Sequence, residues 1–228
     1  MQMLKNLLFI LIFGLFFTAA NAQVQASIGP RAGINLANWS ASQEITDDFG
    51  TSPKNRVSLL FGAVAEIRFS NNIALQPEIN FIQKGMKLVQ EYDDPNLGTV
   101  RSKGEIIINN LEIPILIKAG TSFGSGRFDV LAGPSWAYGL NGKTKYTETI
   151  NGNSESGSQD INFEDDGVTR SEFSLQFGAM FSYNLGAANL FLDARYILGF
   201  SNLVADAIGS ESAKNRGIAF SVGALFPM

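Results

Sequence analysis

Cysteine and histidine are both absent from the 228 residues. Without cysteine there is no disulfide, no thiolate nucleophile and no Cys-ligated zinc. Without histidine the commonest general base and the commonest transition-metal ligand are also missing. Most familiar catalytic constellations are therefore closed to this chain. Runs of lysine and arginine are lacking too: 17 basic residues are scattered among 21 acidic ones, for a net charge of -4. The electrostatic footprint of a nucleic-acid binder is missing. Beyond residue 22 no stretch approaches the 18 or more apolar residues of a membrane helix, and apolar residues do not recur at helical spacing over any long window.

What is present is an export signal followed by strands. Lys5 supplies a positive start, Leu7 to Phe17 is unbroken apolar sequence, and Ala20-Asn21-Ala22 offers a small-x-small cleavage site, so residues 1–22 read as a cleaved signal peptide. The apolar stretch from Leu7 to Ala20 is too short for a spanning helix, which needs about 20 residues. Residues 23–228, with no linker or composition shift, read as one domain.

The most informative stretch is Asn110 to Ala119. Taken two residues at a time, Leu111, Ile113, Ile115 and Ile117 fall on one face, and Asn110, Glu112, Pro114, Leu116 and Lys118 on the other. Seven further segments read the same way, giving eight strands: Ala26 to Asn38, Val57 to Phe69, Ile73 to Lys87, Glu105 to Ala119, Arg127 to Leu140, Ser171 to Leu185, Leu190 to Leu203 and Arg216 to Phe226. The links between them alternate. Short ones (Ser70 to Asn72, Thr121 to Gly126, Gly186 to Ala188) separate long, acid-rich ones (Trp39 to Arg56, Leu88 to Gly104, Asn141 to Arg170, Val204 to Asn215). Such sorting puts every long loop at one end. It predicts an all-β, eight-stranded antiparallel up-and-down transmembrane barrel with short periplasmic turns and long extracellular loops.

The faces agree with this plan. Outward positions carry Leu59, Phe61 and Ile67, or Phe173, Phe177 and Phe181, or Ile218, Phe220 and Val222, with no charge among them. Aromatics at strand ends suggest two interfacial girdles, Trp39, Phe61, Phe81, Trp136, Phe173 and Phe200 above, and Phe69, Phe128, Tyr183 and Phe226 below. The opposite faces hold Arg31, Glu66, Arg68, Glu78, Lys84, Glu112, Lys118, Asp129, Asp193 and Arg195, five acids and five bases able to pair inside a lumen. In a hairpin closed by Thr121 to Gly126, Lys118 is expected opposite Asp129, with a register slip of two residues as the alternative. An eight-stranded barrel is only wide enough for its side chains to fill, so this network predicts a plug. Pro114 and Pro134, lying within strands, are expected at bulges or bends.

Signal peptide, Gly33-Ile34-Asn35-Leu36-Ala37, Pro77-Glu78, Leu111-Glu112-Ile113-Pro114-Ile115-Leu116-Ile117-Lys118 and Ala132-Gly133-Pro134 together resemble the PorT-like outer-membrane β-barrel family common in Bacteroidetes. The Leu-Glu-Ile-Pro strand is the most specific of these motifs. The resemblance implies an eight-stranded barrel in a Gram-negative outer membrane, usually without an assigned activity. It also implies a link, through the name-giving member, to the type IX secretion system.

The expected function is that of a non-catalytic barrel, without cofactor or metal. Its expected partners are outer-membrane lipid and lipopolysaccharide on its flanks and proteins at its loops. Accessory service to secretion is a second reading. A periplasmic lipocalin-like barrel, with its apolar faces turned inward around a ligand, is a third. The acidic cluster Asp160, Glu164, Asp165 and Asp166, together with Asp47-Asp48 and Asp93-Asp94, fits no calcium-loop spacing and reads as solvated loop. Glu66, Glu78 and Glu112 as an acid/base set are set against Arg31, Arg68 and Arg195, which would hold them ionised.

Overall fold

A computed structural model describes residues 25–43, 46–47, 50–96, 98–204 and 212–228. The signal segment with its cleavage site, and Asp48, lie outside the described residues. Among the described residues nine antiparallel strands occur: β1 (Gln25–Ala41), β2 (Arg56–Arg68), β3 (Ile73–Asp94), β4 (Gly98–Phe123), β5 (Gly126–Ile150), β6 (Asn153–Ile161), β7 (Ser171–Asn184), β8 (Asn189–Gly199) and β9 (Ala213–Pro227). Eight close a ring. β1 pairs with both β2 and β9, pairing continues through neighbours on either side, and β5 bridges β4 and β7. A closed ring leaves no sheet edge in the barrel, as a membrane interior demands, because an unpaired backbone group finds no water there.

Parity decides what each face meets. On β4, Ile113, Ile115 and Ile117 are exposed outward while Asn110, Glu112, Pro114, Leu116 and Lys118 are buried. The same outward belt contains Leu59, Phe61, Val130, Phe173, Phe177, Leu192, Phe220 and Val222. A lipocalin needs the reverse arrangement, so the structure excludes that reading. Phe61 stacks on Phe81 with ring centroids 4.8 Å apart, and Phe69, Phe128, Tyr183 and Phe226 stand exposed at the short-turn end.

Trp39 corrects the expected girdle. It is only 7% exposed and packs with Met86, Ile108, Phe163, Leu203 and Ala213 across the long-link end of the lumen. The reason is parity: Trp39 lies eight residues beyond Arg31 on β1, so it points inward as Arg31 does.

The long links are also different from expectation. β3 and β4 are 22 and 26 residues long, against the 9 to 11 or so that cross a bilayer. Most of the segment expected as loop from Leu88 to Gly104 is therefore paired strand, with Asp94 opposite Gly98. Asn141 to Arg170 contains the upper half of β5 and all of β6, which pairs with β5 alone. Its turn is Asn151-Gly152, with φ of 48° and 84°, the left-handed pair that a tight hairpin requires. β3 to β6 thus form a sheet standing beyond the apolar belt. Out there, burial would push the Glu105 carboxyl up, yet a 2.6 Å bond from Lys103 and the Arg56 guanidinium at 3.6 Å hold it below the ordinary carboxylate range.

The strand prolines interrupt pairing without shifting register. Between β3 and β4 the partners run Pro77 with Ile115 and then Asn80 with Glu112, in one unbroken count across Pro114. Pro134 sits in register opposite Leu175. The bulge expected at these prolines occurs elsewhere: Asn109 pairs with Asn141 but Asn110 with Gly139, leaving Leu140 as the extra residue on β5.

Two glycines with positive φ separate conformation from space. At Gly85, φ is 124° and an added Cβ would lie 2.0 Å from the Ile106 carbonyl oxygen, a backbone atom that cannot step aside. At Gly124, φ is 61° and nothing lies within 4 Å. Gly124→Ala should cost about 1 to 2 kcal/mol, the ordinary left-handed penalty. Gly85→Ala should abolish most of the folded fraction. Both outcomes are read from urea unfolding of the lipid-reconstituted barrel.

Candidate functional site: a layered lumen and its two mouths

The barrel interior is filled by three ionic groups separated by apolar layers. Nearest the short turns, Lys118 Nζ lies 2.6 Å from Glu66 Oε2 and 3.7 Å from Asp129 Oδ2. Arg68 Nη2 lies 2.5 Å from Glu66 Oε1. Arg127 donates to Asp129 through Nε at 2.9 Å and Nη2 at 2.7 Å, and through Nη1 to the Asn71 carbonyl at 2.6 Å. Gly120, not Lys118, is opposite Asp129; Lys118 faces Leu131. The slip of two residues arises because the turn is only Gly124-Ser125, with Phe123 paired to Gly126. A diagonal contact still joins Lys118 to Asp129.

Val64, Leu116, Leu131, Met180, Phe191 and Leu225 form the first apolar layer. Beyond it Arg31 and Arg195 alternate with Glu78 and Asp193. Arg31 donates to Glu78 and lies 3.2 Å from Asp193, and Arg195 lies 2.8 Å from Glu78 and 2.5 Å from Asp193. Ser221 Oγ donates to Asp193 at 2.9 Å, and Gln76 and Asn80 donate to the Glu78 carboxylate. These four charged side chains are at most 1% exposed.

Leu60, Ile82, Ile197 and Ala219 form the next apolar layer. In the third group Lys84 Nζ lies 2.8 Å from Glu112 and 3.2 Å from Glu172, with Gln176 donating to Glu112 at 3.0 Å and Asn215 to Glu172 at 2.5 Å. The layer built on Trp39 then closes the long-link end. Arg170 covers it from outside, its guanidinium 4.7 Å from the Phe163 ring centroid and 5.6 Å from that of Tyr138.

The structure thus brings together all ten lumen residues expected from the sequence and adds Arg127 and Glu172. Both additions lie at strand ends, two residues before the inward Asp129 and Ser174, where the same parity would have found them. The count becomes six cations against six anions. Among the described residues no ion pair joins one group to the next. Each is a separate network, with its charges held in a low-dielectric surround where pairing is strong and a broken pair costly.

The acidic residues of the long links serve the turns around them. Asp165 and Asp166 accept from Asn162, Asp94 accepts from the Asn96 backbone, and Asp160 lies 3.3 Å from Lys143. Among the described residues no group of three or more metal-ligating side chains is assembled.

Lys84 gives the sharpest energetic test. Lys84→Met leaves two buried carboxylates facing each other without a cation, and should destabilise the folded barrel by about 3 to 5 kcal/mol. Adding Glu112→Gln and Glu172→Gln in the same chain should recover most of that loss, measured as the urea midpoint in lipid vesicles.

Comparison with protein-family models agrees with a barrel. The family model described as outer membrane protein beta-barrel domain matches residues 21–205. No curated protein sequence matches the chain. Similar solved structures include Ail, the attachment invasion locus protein of Yersinia pestis (16% identity, 90% of this chain and 99% of that one, TM-score 0.39). They also include Neisserial surface protein A (13%, 88% and 97%, 0.44) and OprG from Pseudomonas aeruginosa (11%, 91% and 98%, 0.45). With the family model covering most of its length, this closed, outwardly apolar chain belongs to the outer membrane protein beta-barrel domain family.

Proposed function

We propose that the chain is a non-catalytic, non-conducting outer-membrane barrel that anchors in lipid and presents the β3 to β6 sheet outward as a contact surface. The observation that carries this reading is the filled lumen. Every lumen carboxylate is engaged by a lysine or arginine, and apolar layers separate the three groups, leaving neither a free acid/base pair nor a continuous polar path. Lys214 and Arg216, on the outward face of β9 just above Ile218 and Phe220, suit the phosphates of lipopolysaccharide. The basic, apolar and small-x-small pattern of Lys5, Leu7 to Phe17 and Ala20 to Ala22 supports export, and the Leu111 to Lys118 motif supports a place among PorT-like members. Service to a secretion machine rests on that motif alone.

Planar-bilayer recording of the purified barrel tests the plug. No steady conductance above the bare bilayer is expected. Steps comparable with those of a water-filled porin would overturn the reading.

A further inference from the structure

The short-turn mouth opens into a polar vestibule of about 810 Å³. That lies within the range of small-ligand pockets, roughly 300 to 1,000 Å³. Its floor is the first ionic group, and there the charges do not balance. Arg68, Lys118 and Arg127 are three cations against the two anions Glu66 and Asp129. The apolar layer of Val64, Leu116 and Phe191 keeps this group out of direct contact with the third, where two carboxylates face one lysine. Among the described residues no further acidic side chain forms an ion pair with this first group.

The surplus can be assigned to one side chain. Arg127 uses Nε, Nη1 and Nη2. Lys118 is 1% exposed and spans Glu66, Asp129 and the Met180 sulfur. Arg68 instead spends Nη2 on Glu66 and, although its Nη1 is shielded from solvent, the side chain is 18% exposed at the vestibule floor. A partly exposed guanidinium, in a group with one uncompensated positive charge, is suited to a monoanion with planar oxygens. The walls add the amides of Asn71, Asn72 and Asn184 and the hydroxyls of Thr121 and Ser122, donors and acceptors of the kind that pair with a peptide backbone.

We propose that this vestibule binds a peptide through its terminal carboxylate, with Arg68 as the residue that receives it. The periplasmic position of the mouth rests on the membrane reading above. Binding itself is measured on the purified barrel, so failure of one does not imply failure of the other.

The test uses the full chain folded in detergent and titrated calorimetrically with acetyl-trialanine carrying a free carboxylate, and separately with its C-terminal amide. The carboxylate should bind and the amide should bind about tenfold more weakly or worse, the loss of one charged hydrogen bond. Arg68→Gln should weaken the carboxylate about as much, and Arg68→Lys should restore part of it. Glu66 keeps Lys118 in both variants, and an unchanged shift in gel mobility between boiled and unboiled samples verifies their folding. Absence of binding, equal binding of acid and amide, undiminished binding to Arg68→Gln, or displacement of the peptide by equimolar inorganic phosphate would each overturn the proposal.

Discussion

Hydrogen-bond closure of the sheet is the constraint from which the rest follows. In lipid a strand cannot leave its backbone groups unpaired, so β1 must meet β9 and β4 must meet β5. Closing eight strands fixes a narrow interior, and the two-residue period then sends half of every strand into it. Because the outward half meets lipid and is apolar, the polar residues are confined to the inward half. Once confined they must pair with one another. The six-against-six charge count is the result, and its division into three networks reflects the apolar residues placed between them.

The two ends of the barrel are built differently. At the long-link end the lumen is sealed by Trp39 and Phe163, and β3, β4 and β5 continue past the belt with β6 added alongside. At the short-turn end the turns are too small to cover the mouth, so the last ionic group meets solvent across an open vestibule. The sealed end projects a sheet and the open end exposes charge. The apolar layers keep the ionic groups out of direct contact with one another.

Much of this was legible in the sequence because barrel strands obey one rule. The alternation of Leu111, Ile113, Ile115 and Ile117 with Glu112, Leu116 and Lys118 already divides outside from inside. At Trp39 parity outweighs aromatic type, and the ring turns inward. The β5 to β6 hairpin was missed although Asn151-Gly152 is a strong short-range turn signal, because the polar, acidic run from Asn153 to Ile161 has no apolar face to mark it as strand. The register of Lys118 depends on turn length, and the six residues from Thr121 to Gly126, all small or polar but Phe123, permit several. Which charges meet across the lumen depends on the stagger between distant strands, and no single strand carries that information.

The central claim is the inside-out polarity of a closed barrel, and the missing cysteines make it directly measurable. Spin labels placed by single substitutions to cysteine at Ile113, Pro114, Ile115, Leu116 and Ile117, in protein reconstituted into vesicles, report accessibility to oxygen dissolved in lipid. High accessibility at 113, 115 and 117 with low accessibility at 114 and 116 is the predicted alternation. Uniform accessibility, or the opposite alternation, would contradict the account.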